Sequence, residues 1–363
     1  MNSKDLPYYL GFSHCLGIGP MRFALLVERF GSTKKAYTAS RKELQEVLGD
    51  GLIDKFIEFR DEFDAQKKLK ECDEKNIAVI SQEDKRYPPQ FGQIPDPPIC
   101  LYVKGPIEMF DFSNDSFFGI VGTRTPTSYG VHIAKTFSRE LTACGLVIVS
   151  GLALGIDAVA HRACLEEKGK TIAFLGCGVD IPYPHSNKPL YQTIIESGGL
   201  VVSEFPPGMT VLRGLFIARN RLVSGLSKGV LVVEGAKDSG ALITARYAAE
   251  QGKEVFAPPA PITSEMSAAP NILLKEGAKL VTSVEDILRE LTMQYVPRNY
   301  REIEMDADSN EKQIFIRLKQ EPKLADELSI ELQEPIGIIL QTLSSLEIQG
   351  VVEKNSEGKY QLR

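Results

Sequence analysis

Arg124 stands two residues beyond the glycine that closes the apolar run FFGIVG, with Thr123 before it and Thr125 and Thr127 after it. Packing gives little reason to put a guanidinium at the end of a strand, whereas its planar fork matches a phosphate; the bland alternative is a salt bridge to a neighbouring loop. In YPHSNKPLYQTI (183–194), Lys188 and Tyr191 lie three apart at a helix start, just after Asn187, and share a face. A lysine beside a ring can hold a phosphate while the ring stacks on a base, worth roughly 1–3 kcal/mol per base; otherwise Tyr191 is half-buried core and Lys188 is solvated. In SGLALGID (150–157), Ser150 and Gly151 allow close backbone approach, and a helix starting near Gly155 aims its positive end there. Asp157 reads as a helix-stabilising acid. In ARNRLVSGLS (218–227), Asn220 separates Arg219 and Arg221, which point about 200° apart on one helix. Both face a ligand edge only if the helix begins at Asn220, a good N-cap residue; failing that, Arg219 is the structural one. DSGALITA (238–245) offers Ser239 as another N-cap, beside Gly240. All of this is chemistry for binding an anion.

The motifs of catalysis are missing. The chain has no G-x-x-x-x-G-K-[ST] loop, no G-x-G-x-x-G after an expected strand, no G-x-S-x-G at a strand-to-helix elbow and no paired carboxylates at a catalytic spacing. The four histidines lack metal-ligand spacing and the six cysteines form no C-x-x-C pair. We therefore expect no catalytic residue, no metal and no cofactor. One competing reading is a nucleotide or phosphoribosyl hydrolase using the same turns, with Glu204 and Glu234 as its acids. A second is a protein adaptor without affinity for nucleic acid.

The elements that must position these residues repeat along the chain. Short apolar strands run into small-residue turns at 118–130, 146–157, 171–180, 200–208 and 229–241, each followed by a helix-period segment. That alternation predicts an α/β, Rossmann-like, doubly wound and mostly parallel sheet, with the turns at the carboxyl ends of its strands, where ligands bind. Residues 1–66 read as a small helical domain. Its CLGIGPMRFALLVERFGS (15–32) resembles a helix-hairpin-helix element, whose turn offers amides to a DNA phosphate. Residues 67–294 form the Rossmann-like domain, beginning with an extended, proline-broken lead-in (67–115). A polar linker (295–310) leads to a winged-helix domain (311–363) of three helices and two short strands around Asn355–Gly358.

Hydrophobic residues make up 43% of the chain and charged ones 25%, ordinary for a soluble protein, and no apolar run is long enough to span a bilayer. With no basic-then-apolar leader, the expectation is a cytoplasmic protein with reduced thiols. The net charge of −6 does not favour nucleic acid, but it is an average. Residues 211–228 hold Arg213, Arg219, Arg221 and Lys228 and no acid, whereas 307–363 hold seven basic and ten acidic residues. The helix expected around 335–350 carries no Lys or Arg, so the C-terminal domain is read as contacting protein, or DNA only weakly.

VGTRTPTSYG, SGLALGIDAVAH, YPHSN, SEFPPG, RNRLVSGLS, VVEGAKDSGALITA and NILLKEGA occur in this order. Together they resemble the DNA-processing protein A family (DprA, also called Smf), closely over about 84–282 and more loosely at both ends. The resemblance implies a bacterial cytosolic protein that binds and protects single-stranded DNA in natural transformation and loads a RecA-type recombinase onto it, as a homodimer. It carries the family's pocket arginine onto Arg124, after Gly122 and Thr123, its lysine onto Lys188 and its stacking aromatic onto Tyr191. Two family glycines are replaced by Ala260 and Ala269, which puts the conformation of those loops in question.

Overall fold

The structure, a computed structural model, describes residues 4–293, 310–318, 321–348, 352–355 and 358–362. It divides into two compact units, Met1–Met293 and Gln294–Arg363.

The first unit opens with six helices: α1 (Leu6–His14), α2 (Pro20–Phe30), α3 (Thr33–Thr38), α4 (Arg41–Leu48), α5 (Asp50–Glu62) and α6 (Ala65–Glu74). Short polar side chains set their starts. Ser32 accepts from the Lys35 amide, and Ser40 and Glu43 close a capping box. Phe12, Phe23, Tyr37 and Phe56 pack ring against ring between them. The extended lead-in expected from residue 67 is corrected here. Asp64 caps α6 by accepting from the Lys67 amide, so the helical part runs to Glu74. Two antiparallel strands follow, β1 (Ala78–Ser81) and β2 (Cys100–Lys104); five of the segment's six prolines lie between them, and Pro106 follows β2.

These two strands extend a sheet built from β3 (Ser116–Val121), β4 (Leu146–Ser150), β5 (Thr171–Phe174), β6 (Leu200–Ser203), β7 (Gly229–Val232), β8 (Glu254–Ala257) and β9 (Lys279–Leu280). The spatial order is β1-β2-β6-β5-β4-β3-β7-β8-β9, and β3 to β9 run parallel. The connecting helices are α7 (Ser128–Ala143), α8 (Ile156–Glu166), α9 (Lys188–Glu196), α10 (Arg213–Leu226), α11 (Gly240–Glu250), α12 (Ala268–Lys275) and α13 (Val284–Glu290). Phe137, Leu141, Ile156 and Ile287 cover one face with Phe118, Ile120 and Ile148; Leu222, Val223, Ala245 and Leu273 cover the other with Val121, Val149 and Val232. Strands covered on both faces must be apolar throughout, which is why LVIVS and GVLV show no alternation. The winding reverses between β3 and β7, so ligands are expected at the carboxyl ends of the strands near that point.

His161 of α8 lies in this core. Its Nδ1 is 2.7 Å from Thr171 Oγ1, whose hydroxyl donates to the Ile148 carbonyl at 2.7 Å, and its Nε2 is buried without a partner. Thr171 therefore accepts from Nδ1–H and the ring is neutral. Burial pushes its pKa down to about 3, with Arg219 and Arg162 adding to the effect. In the unfolded chain it takes a proton near 6.5. Stability is then lost as pH falls from about 6.5 toward 3, and this residue contributes a loss of about 2 kcal/mol by pH 5. Urea midpoints should be lower at pH 5 than at pH 7, and His161→Asn should narrow the gap; equal midpoints for the natural chain would refute the assignment.

The second unit comprises α14 (Asn310–Leu318), α15 (Ala325–Leu332) and α16 (Ile336–Ile348), then β10 (Val352–Lys354) paired antiparallel with β11 (Tyr360–Leu362). Ile314, Leu328, Ile339, Leu343, Val352 and Tyr360 form its core. Of the expected linker, 295–309 lies outside the described residues, and Asn310 opens α14.

Candidate functional site

Three turns at the carboxyl edge of the sheet build the site. The first, Gly122-Thr123-Arg124, follows β3. The Thr123 amide donates to the Glu234 carbonyl, and the buried Glu234 carboxylate accepts from the Thr127 amide at 2.9 Å and the Thr127 hydroxyl at 2.6 Å. Gly130 makes this possible, since a Cβ there would stand 2.0 Å from Glu234 Oε2. Glu234 thus bridges the switch point between β3 and β7 and fixes both ends of the loop. Arg124 is left exposed at its tip, with no ion-pair partner among the described residues.

The second turn, 151–155, follows β4 and reads differently from its sequence. The Gly151 and Ala153 amides, expected to cradle a phosphate, both donate to the Asp157 carboxylate, at 3.1 and 3.3 Å. An internal anion already occupies the cradle. From below, Arg219 donates to the Gly151 carbonyl at 2.6 Å and to the Phe174 carbonyl, and a Cβ on Gly151 would stand 2.4 Å from its guanidinium. Burial lowers the Arg219 pKa to about 10, against the pull of Asp157; burial likewise raises that of Asp157, against the pull of Arg219. At the far end Gly155, at φ 75°, lies so close to the first turn that a Cβ would stand 2.3 Å from the Thr123 carbonyl oxygen.

The third turn leads into α9. The Asn187 amide group donates to the Leu152 and Ala153 carbonyls at 3.0 and 3.1 Å, and Lys188, the next residue, is exposed. The 151–155 turn is therefore a spacer, in contact with the Arg124 loop on one side and tied through Asn187 to Lys188 on the other. Two exposed cations are held on one rim by buried hydrogen bonds.

Several expected site residues prove to be scaffold. Tyr191 is corrected: its ring is buried beside Leu190 and Ile194, its hydroxyl donates to the Val179 carbonyl at 2.8 Å, and burial raises its pKa to about 12. It has no face to offer a base. Tyr191→Phe should cost about 1 kcal/mol of stability by denaturant titration and Tyr191→Ala roughly 3–5 kcal/mol; an unchanged midpoint for the alanine variant would put the ring back on the surface. Ser150 is buried, donating to the Ile120 carbonyl, and Gly151 and Asn187 act as just described. Arg221 is buried between Glu204 and Asp96. Asn220 is no N-cap, because α10 begins at Arg213 and runs through it, which turns Arg219 and Arg221 to different buried partners. Asn220 instead donates to the Gly240 carbonyl at 3.4 Å, near Ser239, which caps α11. That cluster lies by the turn after β7, the neighbour of β3. Sequence reading missed the aromatic pair Tyr183 and Phe216, half-buried with ring centroids 5.3 Å apart, Phe216 lying over the Gly176 backbone just beyond β5. The only signal was an aromatic in each of two turn-proximal segments, which spacing alone does not pair.

The family model described as DNA recombination-mediator protein A matches residues 78–292, from β1 through α13. The chain belongs to this family. Protein Smf of Synechocystis sp. is 34% identical over the full length of both chains. The X-ray structure of DNA processing protein A (DprA) from Streptococcus pneumoniae superposes with a TM-score of 0.68 at 34% identity, covering 80% of this chain and 99% of that one. DNA processing protein A from Helicobacter pylori, whose structure was reported for its single-stranded DNA binding mode, gives 0.53 at 31% identity, over 61% and 97%. Ala260 and Ala269, where the resemblance implies glycine, both stay out of the left-handed region. Ala269 is buried and donates its amide to the Gly235 carbonyl, so neither loop needs a glycine.

Proposed function

We propose that this protein binds single-stranded DNA along the carboxyl rim of its sheet, with Arg124 and Lys188 on successive phosphates and Tyr183 and Phe216 as the ring surface between them. It acts without catalysis in DNA processing during transformation, works in the cytoplasm as a homodimer, and delivers the strand to a RecA-type recombinase. The helical part, the Rossmann-like sheet and the C-terminal unit serve as separate domains, the last a winged helix. The observation that carries the reading is a pair of exposed cations without ion pairs among the described residues, one on a loop against the 151–155 turn and the other next to Asn187, which bonds that turn. The Helicobacter pylori relative, described by its single-stranded DNA binding, supports it.

Against the hydrolase reading, the Glu234 carboxylate is buried and accepts from Thr127, and Glu204 is bound by Arg221. Fluorescence anisotropy with single- and double-stranded oligonucleotides at 50 and 200 mM salt tests the proposal. Single strands should bind more tightly, with log affinity falling roughly 0.7 per unit log salt for each phosphate held. Binding indifferent to salt, or equal for duplex, would refute it.

A further inference from the structure

Next to the rim, where the strand leaves β6, the first unit holds a cleft of about 230 Å³ that the proposed DNA contacts do not use. One wall is the glycine turn between α1 and α2, with Leu16 and Ile18; the other is the segment after β6, with Phe205 and Met209; Ile99 and Leu215 close it. Its walls are apolar, yet one edge is not. The amides of Leu16, Gly17 and Gly19 donate to no acceptor among the described residues, and Leu16 itself is 76% exposed. Glu204, also on the lining, is neutralised by Arg221, so the cleft presents no free negative charge.

We propose that this cleft seats one unstacked nucleobase of the bound strand. A base is a flat apolar body with acceptor atoms on its edge, and the cleft supplies a slot between Phe205 and Leu16 with amide donors at one side. The glycine turn that resembles a helix-hairpin-helix would then meet a base edge rather than a duplex phosphate. Position along the sheet argues for a base of the same strand. The order β6-β5-β4-β3 puts the cleft three strand spacings, roughly 14 Å, from the loop that carries Arg124, on the same edge. Phe216 lies over the end of β5 between them, with Tyr183 beside it. A strand held by Arg124 and Lys188 and laid over those rings reaches the cleft within a few nucleotides.

The inference rests on the proposed rim. Its test is an abasic scan: a short oligothymidine in which each position in turn lacks its base, titrated against the full-length protein. One position, to one side of the phosphate contacts, should lose about tenfold in affinity, the order of one base stacked on a ring. Met209→Trp, a partly exposed residue enlarged into the cleft, should weaken the intact strand by a similar factor and leave the strand abasic at that position unchanged. A scan with no loss to one side of the phosphate contacts despite strong binding, and a Met209→Trp protein that binds like the natural one, would overturn the base seat and leave the rim standing. No binding of the intact strand at low salt would overturn both.

Discussion

Replacing Arg221 with alanine should cost about 3–5 kcal/mol of folding stability, far more than a surface arginine is worth. Arg221 is 3% exposed and its guanidinium is fully engaged. It bonds both Glu204 oxygens at 2.6 and 2.7 Å, Asp96 Oδ2 at 2.6 Å and the Asp96 carbonyl at 3.0 Å. Glu204 follows β6 and Asp96 lies in the proline-broken connection between β1 and β2, so one side chain joins two segments that the sequence keeps far apart. Removing it leaves the Glu204 carboxylate buried without a counter-charge, which is costlier than never having built the pair. Arg221→Met with Glu204→Gln should therefore recover part of the loss, read as urea midpoints at pH 7. An Arg221→Ala protein of natural stability but weakened DNA binding would make Arg221 a ligand residue after all.

Gly155→Ala should disable the site from a position that touches no ligand. At φ 75° and ψ −128° the backbone is in a region essentially reserved for glycine, and forcing another residue there costs of order 1–3 kcal/mol. The new methyl would also meet backbone, the Thr123 carbonyl oxygen at 2.3 Å and Arg124 atoms at 2.7 and 2.8 Å, none of which can swing aside as a side chain tip can. The Arg124 loop must then move while Glu234 holds its two ends. We expect a folded protein of reduced stability whose single-strand affinity falls at least as far as that of Arg124→Ala. Natural affinity in Gly155→Ala would show that the spacing set by the 151–155 turn is irrelevant to binding.

Much of the fold was legible because parallel strands and their helices leave blunt signals: apolar runs without alternation, glycine turns, and helical periodicity between them. The two exposed cations were legible too, since a charged residue at a strand end has few structural uses. What stayed hidden was which polar groups the protein spends on itself. SGLALGID looks like a phosphate cradle, and nothing in its order of residues reveals that Asp157 folds back onto the amides of Gly151 and Ala153. RNR looks like a cationic patch, and only the start of α10 at Arg213 decides that both arginines turn inward. Tyr191 shares a face with Lys188 by spacing, but helical spacing fixes direction, not depth. Its hydroxyl finds a buried carbonyl twelve residues earlier. The α6 helix and the two antiparallel strands were masked by prolines, five of which lie in the connection between those strands and the sixth, Pro106, just beyond the second.

In the proposed function, two cations linked through the 151–155 turn grip the backbone of a single strand. The most direct measurement is the salt dependence of single-strand affinity for the natural protein and for Arg124→Ala with Lys188→Ala. Losing two charged contacts at roughly 1.5 kcal/mol or more each should weaken binding about a hundredfold at low salt. The slope of log affinity against log salt should become shallower by about 1.4, with the urea midpoint unchanged because neither side chain carries an ion pair among the described residues. A double variant that keeps both its affinity and its slope would contradict the account.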